Sequence, residues 1–325
     1  MQARGGSGIG AAAMGERLAT RRDFLVGSAK LVAGGSLAAA LAARGVRGGL
    51  AQGATPGAAG AGSGYPELNV TITDEKYELS ADSVAAGYVL LTVTNKAKDA
   101  TGAAVIGPPP GMSMQDMMQM AATPPAEAGG FPPFLYQAAV PGGPGEIEPG
   151  GTAQAIIKLE AGDWAVFGEG NQPPTFFTAT AGTPAGASEP AAAVTVTEED
   201  FAFAGLDHPL AAGKQTWKVV NAGKQPHMLV LGEVPVGTTM EQVMQVVMLP
   251  DGATPSSGAL QEKDFQGRGG ILLQSAGTTV CPMLDLPAGR YVALCFVTDP
   301  NTGKPHAMEG MVSLFDVGTA GTPAS

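Results

Sequence analysis

The side chains of this 325-residue chain best suited to chemistry are three His and two Cys, which are scarce, and fourteen Met. His227 closes the segment Asn221-Ala222-Gly223-Lys224-Gln225-Pro226-His227. Cys295 ends the apolar run Tyr291-Val292-Ala293-Leu294-Cys295, and ten residues, Phe296 to Pro305, separate it from His306. Four more residues lead from His306 to Met311. Thiolate, imidazole and thioether are the side chains that hold soft and borderline transition metals. Other chemistries find no footing, because no Ser-His-Asp set, P-loop or dinucleotide fingerprint stands out. His208 lies in a turn and reads as a surface residue. Cys281 reads as a small buried apolar residue, although an oxidising compartment would permit a Cys281–Cys295 disulfide that consumes the thiolate.

The elements that must position these residues come in two copies. Val70-Thr71-Ile72-Thr73 and Tyr77-Glu78-Leu79 open the first, Val194-Thr195-Val196-Thr197 and Phe201-Ala202-Phe203 the second. Each continues through an Ala-Gly turn (Ala86-Gly87, Ala212-Gly213) into an alternating strand that ends in Asn, at Asn95 and Asn221. Ala103 to Gly107 then matches Met228 to Gly232, and Leu159 to Trp164 matches Leu286 to Tyr291. Period-2 alternation with frequent turn signals predicts sandwiches of antiparallel strands. The 48 Gly and 26 Pro fit many short strands. In this alignment Gly102 stands opposite His227 and Gly168 opposite Cys295, so the first copy lacks the chemical residues.

One short helix is expected in each copy. The second begins near Thr238 and Thr239, with Met240, Val243, Met244 and Val247 at helical spacing. The first carries Met112, Met114, Met117, Met118 and Met120, a cluster that could trap Cu(I). Its match to Met240, Met244 and Met248 favours the plainer reading, methionines packing one helix face on the sheets.

The segment ending at His227 resembles the stretch that carries the first histidine ligand of plastocyanin-like blue copper proteins, and the order His, Cys, His, Met resembles the ligand order of the cupredoxin family. That resemblance implies an all-β chain of two tandem cupredoxin-like Greek-key β-sandwiches. It also implies one type 1 copper site in the second, with His227, Cys295 and His306 as strong ligands and Met311 as the weak axial one. Met308 is a weaker axial candidate. The ten-residue gap from Cys to His departs from small blue copper proteins and is closer to the copper nitrite reductases. Two doublings of loop length cost only about 1.2 kcal/mol of closure entropy, against roughly 10 kcal/mol that a structural metal site returns. Met228 stands where many relatives have Asn, which puts one supporting hydrogen bond in doubt. Three His leave too few for the additional centres of a multicopper oxidase or a copper nitrite reductase, so the expectation is an electron carrier and not an enzyme. A metal-free binding or structural protein and a copper carrier or buffer remain as alternatives.

The N-terminus reads as an address. Thr20-Arg21-Arg22-Asp23-Phe24-Leu25 resembles a twin-arginine signal, followed by a small-residue apolar run that is too Gly-rich for a clear spanning helix. The expected organisation is a signal region at 1–51, a flexible linker at 52–66 and a ligand-free sandwich at 67–180. A second linker at 181–192, the ligand-bearing sandwich at 193–318 and a tail at 319–325 follow. Export places the protein outside the cytoplasmic membrane, in a periplasmic or other extracytoplasmic space, tethered there if the signal stays uncleaved. Seven of the 18 bases and two of the 29 acids lie in 1–51, which leaves a net charge near −16. Such a charge argues against nucleic acid and anionic membrane surfaces; it fits a cationic redox partner and equally fits simple solubility.

Overall fold

The computed structural model describes residues 64–121, 133–168, 172–182, 188–249, 259–261 and 264–318. The proposed signal region, nearly all of the first linker and the tail lie outside them. Among the described residues no helix is long and apolar enough to cross a membrane.

The chain is all-β, with two copies of one strand plan. The first runs β1 (Glu67–Ile72), β2 (Tyr77–Leu79), β3 (Ser83–Ala85), β4 (Gly87–Asn95), β5 (Ala103–Gly107), helix α1 (Met114–Ala121), β6 (Ala139–Gly142), β7 (Thr152–Leu159), β8 (Gly162–Gly168) and β9 (Thr175–Thr180). The second runs β10 (Val194–Glu199), β11 (Ala202–Ala204), β12 (Leu210–Ala211), β13 (Gly213–Asn221), β14 (His227–Val234), helix α2 (Met240–Val247), β15 (Gln266–Gln274), β16 (Thr279–Leu286), β17 (Gly289–Leu294) and β18 (Val312–Gly318). Each copy is a cupredoxin-like sandwich, as the sequence led us to expect. The paired Ala-Gly turns explain the glycines: Gly87 has φ 113° and Gly213 φ 101°, a region closed to most side chains.

The sequence did not show that the copies are fused. One sheet has eight strands in the order β11-β10-β13-β16-β7-β4-β1-β2, and two five-stranded sheets, β12-β18-β17-β14-β15 and β3-β9-β8-β5-β6, cover it. The join is antiparallel between equivalent strands, with Val280 opposite Ile157 and Pro282 opposite Ala155. Ala155 and Pro282 each stand four residues before the matched Leu159 and Leu286, so a local two-fold passes between them. Each copy would otherwise expose β7 or β16 as an unpaired edge, and pairing removes both. The facing sheets also meet, where Leu272 N–H donates to Gly143 O and Ser275 N–H to Val140 O. Buried residues from both copies form one contiguous core.

The strand registers correct the sequence alignment. Ile72 pairs with Asn95 and Tyr77, while Glu198 pairs with Asn221 and Phe203. The opening strands therefore match at Val70 and Val196, two residues from the expected Val70 and Val194. A slip of two leaves period-2 alternation unchanged, so the pattern could not detect it. Thr101 faces Ile147 as His227 faces Gln274, so the counterpart of His227 is Thr101 and not Gly102.

The two helices pack differently. In α1, Met117 is buried and Met114 and Met120 pack on the core, as does Met112 just ahead of the helix. In α2 the buried residues are Val243 and Val246, while Met240 and Met248 are exposed, against the expectation of a methionine face. Thr239 caps α2 in a reciprocal capping box with Gln242.

Candidate metal centre

Four predicted residues come from four places in the second sandwich. His227 opens β14, Cys295 directly follows β17, His306 opens a 3-10 turn (His306–Glu309), and Met311 directly precedes β18. All four are fully buried. His227 Nδ1 lies 3.1 Å from His306 Nδ1, and Cys295 Sγ lies 3.8 Å from the first and 3.4 Å from the second. A metal at about 2.0 Å from nitrogen and 2.3 Å from sulfur spreads its ligands on edges of roughly 3.3–3.7 Å, and the observed triangle brackets that range. Met311 is tied to the same group by its backbone, its N–H donating to His306 O at 2.9 Å and its O accepting from Cys295 N–H at 3.3 Å. Met308 is only half-buried.

The outer face of each imidazole is also fixed. His227 Nε2 lies 3.2 Å from Asp200 Oδ1, an oxygen that also accepts from the backbone of Lys224 and Gln225. His306 Nε2 lies 3.1 Å from Gln225 Oε1, and Gln225 Nε2 donates to Asp299 Oδ1 at 3.1 Å. Both acceptors hold the ring proton on Nε2, which turns both Nδ1 lone pairs inward. Two lone pairs facing at 3.1 Å repel unless a cation lies between them. Sequence reasoning left open which nitrogen faces the metal, and the outer hydrogen bonds decide it.

Burial lowers His227 and His306 to about 4, so both rings are neutral at physiological pH, the form that binds metal. Burial pushes the Cys295 thiol well above its usual range, the Met228 N–H at 3.5 Å from Sγ pulls it down, and the Glu198 carboxyl raises it again. A metal must therefore displace that proton. Burial also raises Asp200, yet the two backbone amides and His227 outweigh it and keep the carboxylate below its ordinary value. The donor set fits one type 1 copper: two neutral imidazoles, a thiol in a dry pocket and a buried thioether nearby.

The long Cys-to-His segment is folded, which removes the closure problem. Ala307 N–H donates to Cys295 O and His306 N–H to Val297 O; Thr298 bridges Pro305, and Asp299 N–H donates to Lys304 O. The excursion zips into a small hairpin whose base keeps Cys295 and His306 adjacent.

Several supporting residues escaped the sequence reading. Phe201 is the one non-glycine with positive φ (70°) among the described residues, a strained conformation for a bulky side chain. It sets the ring edge-on to His306 at 4.9 Å. Gly223 is needed for close approach, since a Cβ there would collide with Asp200 Oδ1 and stand 2.7 Å from His227 Nε2. Tyr136, from the first sandwich, donates its hydroxyl to Thr298 O in the hairpin. None carries a motif, although matching the repeats in correct register flags Glu198 opposite Ile72.

The rival uses of the other candidates are resolved. Cys281 and Cys295 are both free thiols. Val280 faces the core and Cys281, one residue on, faces the opposite side of the shared sheet with Leu90 and Ile156. His208 is exposed beside Asp207.

No family model and no curated protein matches the chain. Solved structures similar to it include dithionite-reduced auracyanin from the photosynthetic bacterium Roseiflexus castenholzii (17% identity, 38% of this chain and 94% of that one, TM-score 0.25). Auracyanin A, titled a "blue" copper protein, from Chloroflexus aurantiacus is similar at 17% identity (38% and 96% covered, TM-score 0.25). The copper-containing nitrite reductase of Thermus scotoductus SA-01 is similar at 10% identity over 78% of this chain and 60% of that one, with a TM-score of 0.21.

Proposed function

We propose that the protein is an exported electron carrier holding one type 1 copper, with His227 Nδ1, Cys295 Sγ and His306 Nδ1 as strong ligands and Met311 as the axial one. The observation that carries this reading is the buried triangle of three donors from distant parts of the chain. Bound copper supplies the one-electron couple. The chain's own contribution is to hold the donors in one geometry, so that little has to move when charge changes. Asp200 and Gln225 keep the imidazoles from rotating. Phe201, Gly223 and the hairpin exclude water. The chain holds only three His, and the third, His208, is exposed beside Asp207 and not in the cluster. That leaves no set for a second copper centre and favours a carrier over an enzyme.

The twin-arginine resemblance supports export of a folded, metal-dependent protein, and the net acidic charge supports a basic redox partner. Met114, Met117 and Met120 of α1 are engaged in packing, which weighs against copper buffering by this helix. Reconstitution of reduced protein with Cu(II) tests the reading. One equivalent of metal and an intense visible thiolate band are expected, with the band lost in C295S. No band from the reduced wild type would leave a metal-free pair of sandwiches.

A further inference from the structure

The two copies provide an internal control for every residue around the metal centre. At the end of the first strand of each copy, facing the terminal Asn of the neighbouring strand, the first copy has Ile72 and the second Glu198. The Asn side chain then bonds one carbonyl across the sandwich: Ile147 O in the first copy, Gln274 O in the second. Ile72 and Ile147 thus stand in the first copy where Glu198 and Gln274 stand in the second. The fold accepts the apolar pair, with Ile72 and Ile147 both buried.

The polar pair is costly where it stands. Glu198 and Gln274 are fully buried, and Gln274 Nε2 donates to Glu198 Oε2. The remaining oxygens, Glu198 Oε1 and Gln274 Oε1, have no hydrogen-bond partner among the described residues. A half-satisfied buried pair destabilises relative to an apolar one of similar size. Its surroundings give it a use. Gln274 is the register partner of His227, and Glu198 O accepts from the amides of Ala222 and Gly223 in the turn that leads to His227. The Glu198 carboxyl also acts electrostatically on Cys295, and no lysine, arginine or other carboxylate enters its own balance of burial and hydrogen bonding.

We propose that Glu198 and Gln274 are positioning and tuning residues of the metal centre, retained to favour its more positive, oxidised state and dispensable for the fold. The Gln274 amide oxygen and the neutral Glu198 carboxyl are polar groups left without full partners in a low-dielectric core, where their dipoles act on the charge of a nearby metal and stabilise its more positive state. This inference rests on the copper reading above.

The test is the double variant E198I/Q274I, which restores the residues of the first copy, with E198Q alongside. The variant is expected to melt at or above the wild-type temperature without metal and to bind one copper. Against a fixed redox couple, its reduced-to-oxidised ratio should rise about tenfold, a shift of about 59 mV for one electron, with a displaced visible band. Unchanged potential and band in a copper-loaded variant overturn the proposal and leave the copper reading standing. If the double variant does not fold, the pair is structural, unless E198Q folds and still raises the potential, which upholds the proposal. Failure of the wild type to take up copper overturns both.

Discussion

The two sandwiches agree in strand plan and in the hydrogen bonds of one buried Asn, and differ in what fills the space beside it. Asn95 Nδ2 donates to Asp99 O and Ile147 O while its Oδ1 accepts from Ala97 N–H. Asn221 repeats the pattern with Gln225 O, Gln274 O and Gly223 N–H. That Asn therefore belongs to the fold, since it does the same work where no ligand exists. Beyond it the copies part. The place of Cys295 is taken by Gly168, where a Cβ would collide with Gly102 O and lie 2.7 Å from the Tyr77 hydroxyl. The place of His227 is taken by the buried Thr101. The first copy has closed its cavity with backbone and a phenol, so the strand plan does not need the ligand residues.

The hardest way to strain this comparison is to graft ligands into the first copy. T101H/G168C forces side chains into backbone and is expected to cost about 5 kcal/mol, with no second equivalent of copper bound. Chemical denaturation and metal titration check both parts, and a stable variant with two coppers would show the first cavity to be open.

The next largest effect concerns Glu198, whose counterpart in the first copy is Ile72. Burial pushes its carboxyl up to about 8. Between about pH 4.5 and 8 the native state keeps a proton that the unfolded chain has released, so stability falls as pH rises through that window, by about 5 kcal/mol. Metal-free wild type and E198Q melted across this range should diverge steadily, and parallel curves would show the carboxyl to be ionised already.

Removal of either Asn should give matched losses. N95A and N221A each leave two carbonyls and an amide without partners, about 2–3 kcal/mol. Equal losses in metal-free protein sharpen the view that the residue is structural in both copies; a loss confined to N221A breaks it.

The smallest effect links the copies. Y136F removes the hydroxyl that the first sandwich gives to the Thr298 carbonyl, and about 1 kcal/mol of stability with it. A small change in the visible band of the copper-loaded protein should accompany this loss. No change in either would show that the first sandwich supports the second only through the shared sheet.

Much of this was legible in the residues. Alternation, turn glycines and the double appearance of one pattern specify sandwiches, because a strand with one buried face must alternate. The scarcity of His and Cys made His227, Cys295 and His306 stand out, with Met311 completing the set. Alternation is blind to a two-residue slip, however, and the slip hid Glu198 opposite Ile72.

The all-β class, the duplication and the identity of the candidate donors could all be read from the residues, since these depend on local pattern and residue type. Only the tertiary structure decided that the sandwiches share one eight-stranded sheet, that both Nδ1 atoms face inward, that the ten-residue loop is a hairpin and that Cys281 lies on the far side of the sheet. The shared sheet, the ring orientations and the place of Cys281 depend on partners distant in the chain, and the hairpin on local backbone bonds; neither leaves a periodic trace in the sequence.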